Sequence, residues 1–412
     1  MPQPEIVPPA GRALRPAGLA RRLVLIFAIS TGVAVANNYY AQPLLAAIRA
    51  TFHTSSGETG LLVTFAQVGY AAGLVFLLPL GDLLERRRLV VVMSVICSAG
   101  LLGAAASPDL PLMFAAAVLV GGTSVVAQIL VAFAASIAGD AERGRVVGTV
   151  MSGLLLGILL ARTAAGYIAE ASSWRVVYVV AAGMTALLAL VIRHEVPVHR
   201  ERHDLSYPAV LSSVVRLFLT EPTLRRRSLY GLLSFGAFSV LWTSLAFLLA
   251  AKPYHFSTGT IGLFGLVGAG GAGMATLAGR LADRGLQATV TTLTALAIVV
   301  SFVIMWVAPH VLGALIVGIV LLDLGCQGIH ISNQSEIYRL APSARSRVNS
   351  AYMTCYFVGG TLGSVGSALC YGAGGWPYVA ALGTAFGAAA WLMSLTERRY
   401  QRRAVATAPA GT

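Results

Sequence analysis

The 412-residue chain is 57% hydrophobic and only 11% charged, and its mean hydropathy of +0.78 lies far from the balance of a soluble domain. Its formal charge of +13 does not mark a nucleic-acid binder, because the arginines stand in short runs between long apolar segments rather than on one basic face. Cys97, Cys326, Cys355 and Cys370 all lie within apolar runs without CxxC or histidine-paired spacing, which argues against a disulfide framework or a zinc site and reads as packing.

A Pro-rich tail over residues 1–21 precedes an apolar stretch of about 20 residues with no small-residue cleavage site, read as a first span rather than a signal peptide. Twelve segments are long enough to cross a hydrocarbon core of about 30 Å. They are predicted at 22–41, 58–80, 88–106, 111–137, 145–169 and 174–192, then at 228–250, 258–280, 286–307, 310–337, 345–371 and 374–396. The expected organisation is therefore an all-α membrane protein with six-helix bundles at 22–192 and 228–396, a linker at 193–227 and tails at 1–21 and 397–412.

The basic residues agree with that count. With both termini cytoplasmic, 25 of the 29 Lys and Arg fall on the inner side, Arg49, Arg175 and Lys252 fall outside, and Arg162 lies within span five. The excess of arginine over the single lysine, Lys252, points to a GC-rich bacterial genome and so to a cytoplasmic (inner) membrane. Between Pro208 and Pro222 the linker carries Val210, Leu211, Val214, Val215 and Phe218 on one side, the pattern of a short interfacial helix or of an unstructured linker with scattered apolar residues.

The halves echo each other. Gly81, Leu83, Glu85 and Arg86 match Gly279, Leu281, Asp283 and Arg284 at an offset of 198, and Arg143, Arg145, Val146 and Gly157 match Arg345, Arg347, Val348 and Gly359 at 202. Two landmarks in the same order predict a parallel duplication about an axis along the membrane normal.

Span ten holds the polar groups that a membrane helix does not need. Asp323, Gln327, His330 and Gln334 recur at helical spacing and form one stripe. Asp323 sits roughly 20 Å along its span, and a carboxylate at that depth costs several kcal/mol unless it is neutralised, paired or hydrated. It is the preferred proton site, the alternative being a carboxylate paired to a neighbouring helix for packing. His330 is placed to relay a proton, or to hydrogen-bond within a helix interface. Arg162, a fixed cation, is read as a partner of Asp323 or an anchor for an anionic substrate, or as a side chain snorkelling outward near Glu170. Asn37, Asn38, Tyr40, Gln67, Tyr70, Gln128, Trp242, Tyr352 and Tyr356 join Gln327 and Gln334 as candidate cavity-lining groups, while tyrosines near span ends also suit the membrane interface. Gly359, Gly360, Gly363 and Gly366 predict close helix packing.

GDLLERRRL from Gly81 resembles the G-x-L-x-D-R-x-G-R-R signature of the major facilitator superfamily, without its second glycine, and GRLADRG from Gly279 keeps more of it. The resemblance implies two six-helix bundles related by a pseudo-two-fold axis and a gating role for Asp82, Glu85, Arg86, Asp283 and Arg284. NNYYAQPLL from Asn37, the Asp323 stretch and PSARSRVNSAYMT from Pro342 look most like the bacterial drug and metabolite efflux branch related to proton antiporters. Here Ile158 stands at that branch's span-five proline position, and the arginine expected in span four is missing. No P-loop G-x-x-x-x-G-K-[ST], G-x-S-x-G or H-E-x-x-H occurs, so neither an ATP-driven pump nor an enzyme is expected, and no cofactor or metal. The expected function is proton-coupled efflux of a small organic compound by alternating access, carried out by a monomer whose partners are its substrate, protons and the bilayer. Import of an organic anion is the second reading, and a sensor without turnover the third.

Overall fold

The computed structural model describes residues 21–139, 142–198, 206–268, 281, 286–340 and 345–406. The first half comprises α1 (Arg21–Ala36), α2 (Ala41–Phe52), α3 (Ser56–Phe76), α4 (Arg86–Ala106), α5 (Leu110–Thr123), α6 (Val126–Ile137), α7 (Arg143–Ala171) and α8 (Trp174–Glu195). A connecting helix α9 (Tyr207–Thr220) leads to α10 (Pro222–Ala250), α11 (Thr258–Val267), α12 (Gln287–Val307), α13 (Leu312–Leu340), α14 (Arg345–Gly374) and α15 (Trp376–Ala406). Eleven segments among the described residues are long and apolar enough to cross a bilayer, and α11 opens the remaining predicted span, whose later part lies outside the described residues. These helices stay apolar on their outer faces. In α8, Val177, Ala181 and Leu188 pack inward while Val180, Leu187 and Leu190 are exposed, the pattern of a helix solvated by lipid.

Two expected spans are broken, each for a local reason. Span one is α1, a turn at Asn37–Tyr40, and α2 continuing to Phe52, well past the predicted end at 41, so that Arg49 stands on a helix rather than in a loop. Pro43 lacks the N–H that would reach the Tyr39 carbonyl and its ring crowds that carbonyl, so the regular ladder gives way to short bonds from Asn38 N to Val35 O (3.2 Å) and Tyr39 N to Ala36 O (2.9 Å). Span four breaks between α5 and α6, where Ser124 Oγ turns back to donate to Val120 O at 2.6 Å.

Packing repeats between the halves. In the first, α1 lies on α7 and α4 on α8; in the second, α10 lies on α14 and α12 on α15. The α1–α7 crossing depends on Gly153 against Ala28 and Gly157 against Gly32, and the α10–α14 crossing on Gly359 against Leu232 and Gly363 against Gly236. In all four places a Cβ would strike the facing backbone. This pairing equates Gly157 with Gly363, one turn beyond the Gly359 expected from sequence, because glycines spaced by four align equally well in either register.

The linker helix α9 turns Val210 inward, with Val214, Leu217 and Phe218 packed on the core. Val215 departs from the expected stripe and is exposed, since the packed face follows positions 210, 214 and 217. Tyr207 Oη donates to Phe76 O at 2.9 Å, holding α9 to the end of the bundle that carries the termini, here called the terminal end. Arg227, counted from sequence as a loop charge, is within α10, 1% exposed and ion-paired with Glu336 of α13.

The halves meet along α3–α14 and α7–α11. At the far end Gly57 and Gly60 lie against Ala368, and Gly166 lies against Gly262. Glu170 of α7 reaches across to the start of α11, where Oε2 accepts from Ser257 Oγ at 3.0 Å and from Gly259 N at 2.9 Å, a carboxylate at the positive end of a helix.

Two predictions follow from these seams. Gly157→Leu and Gly363→Leu should each cost at least about 1–3 kcal/mol of overpacking and reduce monodisperse protein in fluorescence size-exclusion, whereas Gly103→Leu, which has open space, should not. Glu170→Gln should weaken far-end closure by about 1–2 kcal/mol, read as a new longer component in spin-label distances between Ser172 and Lys252.

Candidate functional site

Between the halves lies a cavity of about 180 Å³ with largely apolar walls. Its deep end is formed by Arg162 of α7 and Asp323 of α13, and it extends toward the terminal end past Met151, Gln334 and Met353. The whole stripe of Asp323, Gln327, His330 and Gln334 lines it, together with Gln128 and Tyr356. The helical spacing that groups the four on one face of α13 is what turns them all into one space.

Arg162 is 2% exposed and does not snorkel. Its Nε donates to Gln42 Oε1 at 2.6 Å, and its guanidinium lies 3.9 Å from the Trp242 ring centre, 4.9 Å from Tyr39 and 5.6 Å from Phe238. This seat compensates part of the lost hydration, since each ring face attracts a cation by about 0.5–2 kcal/mol. The broken first span makes the seat possible: the turn before Pro43 aims Tyr39 and Gln42 at the guanidinium, which a straight helix would not do. The rings of Trp242 and Phe238 belong to the second half, so the seat spans the interface between the halves.

Asp323 is 5% exposed, and its Oδ1 has no hydrogen-bond donor. Arg162 Nη2 likewise has no acceptor, and no ion pair within 4.0 Å joins the two residues although both face the same cavity. Both rest against one face of α11: a Cβ at Gly265 would meet the Arg162 side chain, and a Cβ at Gly268 would meet Asp323 Oδ2. Gly262, Gly265 and Gly268 recur every third residue, a pattern legible in the sequence.

Further along the stripe, His330 Nδ1 lies 3.0 Å from Tyr352 Oη, which also accepts from Asn333 Nδ2 at 3.3 Å. Which of His330 and Tyr352 donates in this bond depends on the tautomer of the ring. Gln128 is turned inward by the α5–α6 break, with Nε2 3.5 Å from Tyr70 Oη, and Tyr70 stacks on Phe357 across the halves at 4.1 Å.

The other sequence candidates sit elsewhere. Asn37 Nδ2 donates to Thr185 Oγ1 at 3.2 Å, tying α1 to α8, and Asn38 lies with it in a small void away from the cavity. Tyr40 lines an apolar groove on the outer surface between α1, α7 and α8. Gln67 is buried in α3 outside the cavity wall; Trp242 lies beneath Arg162, and Tyr352 stands behind His330. Of the gating set, Arg86 donates to Gly81 O at 2.9 Å and to Ser136 Oγ at 2.6 Å within the first half, and Glu85 lies 3.7 Å from Arg87. Asp283 and Arg284 lie outside the described residues, as does the side chain of Asp82. Tyr39, Gln42 and Glu170 were not singled out from sequence as site residues, because a glutamine or tyrosine beside a proline carries no sign of which helix it will face.

Residues 27–335 match the family model of the Major Facilitator Superfamily. The chain is 50% identical over 365 residues to the uncharacterized transporter YgaY of Escherichia coli O157:H7, covering 89% of this chain and 93% of that protein. It is 36% identical over 388 residues to a Streptomyces coelicolor protein named "Probable transporter SCO4007", covering 93% and 88% respectively. A bacterial homolog of the human lysosomal transporter Spinster, solved in an inward-facing and occupied conformation, shares the fold with a TM-score of 0.72 at 14% identity over 92% of this chain and 96% of that one. These relatives are transporters and not enzymes, and this multi-pass membrane protein belongs to the Major Facilitator Superfamily.

Proposed function

We propose that this protein is a proton-coupled secondary transporter that exports a small organic compound by alternating access, with Asp323 as the group that takes up and releases the proton. The observation that carries the reading is a carboxyl group with one oxygen, Oδ1, that accepts no hydrogen bond, buried at the deep end of a cavity between two halves. Such a group is stable as a charge only while something hydrates or neutralises it, so its protonation state and the state of the cavity are coupled. His330, bonded to Tyr352 on one nitrogen, lies between Asp323 and the terminal end and relays the proton in that direction.

The arginine distribution supports reading the terminal end as cytoplasmic, in a bacterial inner membrane. With far-end contacts at Glu170 and Gly57 and a cavity extending the other way, the conformation is inward-facing on this reading. Arg86, Glu85 and Asp82 act as a gate at the cytoplasmic face, with Asp283 and Arg284 as their counterparts, and the protein works as a monomer. Export rests on the likeness of the NNYYAQPLL and Asp323 stretches to efflux carriers. A second reading, import of an organic anion, is favoured by Arg162 Nη2, which faces this cavity without an acceptor.

Asp323→Asn should lower flux driven by a pH gradient in proteoliposomes by about tenfold or more, the size of a lost coupling free energy, while gradient-free exchange persists. Full gradient-driven flux in that variant would sink the proton assignment. Arg162→Ala should abolish substrate binding if the cargo is an anion and should spare binding of a cationic cargo, as measured by calorimetry on purified protein.

A further inference from the structure

Resting on the reading of this cavity as the transport site, we infer that the cargo is a zwitterion: a small molecule with an ammonium and a carboxylate on the same carbon and an apolar or aromatic tail. The two charges that face the cavity have opposite sign, stand on opposite halves, and each keeps one atom free. Arg162 Nη2 lacks an acceptor and Asp323 Oδ1 lacks a donor, though both residues are more than nine-tenths buried. They also do not satisfy each other. Gln42 holds Arg162 through Nε, the Trp242 ring lies against the guanidinium face at 3.9 Å, and no ion pair within 4.0 Å forms with Asp323.

Net charge selects among ligands. In a medium of low polarity the empty site carries one positive and one negative group, and a neutral zwitterion satisfies both without leaving an excess charge. A simple amine leaves Arg162 unsatisfied and the site one charge in excess; a simple acid does the same to Asp323. A Cβ at Gly265 would meet the stem of Arg162 and one at Gly268 would meet Asp323 Oδ2, so both side chains enter the cavity beside the same stretch of chain. The walls suit an apolar tail: Tyr70 stacked on Phe357 and Phe235 stacked on Tyr356, both at 4.1 Å. Binding then joins the halves, with the carboxylate on Arg162 of the first and the ammonium on Asp323 of the second. It also makes proton and cargo exclusive at Asp323, since the protonated acid no longer offers a counter-charge to the ammonium.

The test compares two amino acids with their own truncated analogues by calorimetry and thermal shift on the purified full-length protein, with no gradient present. L-phenylalanine is measured beside 2-phenylethylamine and 3-phenylpropanoate, and L-leucine beside 3-methylbutylamine and 4-methylpentanoate. At least one amino acid should bind about tenfold or more tightly than both of its analogues, the order expected when a buried polar partner is left unpaired. Arg162→Gln should bring the amine level with its parent, and Asp323→Asn should do so for the acid. Failure of both amino acids to outbind both of their own analogues on the wild-type protein, or no binding by any of the six compounds, overturns the inference. Proton coupling is read separately, in proteoliposomes: loss of gradient dependence alongside a retained amino-acid preference would refute the coupling reading and leave the zwitterion site standing.

Discussion

One arrangement governs this molecule: a guanidinium and a carboxyl group stand on opposite halves, deep in a membrane protein, and face one cavity without an ion pair between them. A buried ion pair would neutralise both at once and give a static link between helices. Here the guanidinium of Arg162 rests on Gln42 and the Trp242 ring, and Asp323 Oδ1 at the deep end of the same cavity accepts no hydrogen bond. The unsatisfied atoms are the part of the structure with most to gain from a ligand or a proton. Because the charges belong to different halves, whatever satisfies them also acts on the relation between those halves.

The rest of the architecture packs each half densely and joins the halves along two helix pairs. Within the halves, backbones touch at Gly153 and Gly157 on one side and at Gly359 and Gly363 on the other, where the absence of side chains lets long helices lie almost in contact. Dispersion in such crossings is dense and intolerant of added atoms. The seam shares such close crossings, at Gly166 against Gly262 and Gly57 against Ala368, and adds polar and ring contacts. It relies on Glu170 at the start of α11, on the small residues Gly166 and Gly262, and on ring stacking such as Tyr70 with Phe357. Hydrogen bonds and ring contacts of this sort are worth about 0.5–3 kcal/mol each, a scale that binding energy can offset.

Breaks in two helices convert an ordinary bundle into a site. The Asn37–Tyr40 turn swings Tyr39 and Gln42 beneath Arg162, and the Ser124 turn brings Gln128 toward Tyr70. The same turn sends Asn37 to Thr185 and Tyr40 to the outer groove. Neighbouring residues of one motif thus serve packing and the cavity in alternation, which is why the motif as a whole is a poor guide to its individual side chains.

Much of the plan was legible in the amino-acid order. Apolar length, arginine placement and the spacing of Asp323, Gln327, His330 and Gln334 need only helix geometry and the cost of charge in hydrocarbon, and both act locally along the chain. What the order left open was every relation between segments. Nothing near Gln42 announces that its carbonyl will hold an arginine 120 residues away, and nothing near Arg227 announces burial against Glu336. The helix breaks, the register of the glycine crossings and the choice of Tyr39 over Tyr40 at the cavity follow from which helix lies opposite. That is a property of packing in three dimensions, where one turn of rotation or translation exchanges a lining residue for a buried one.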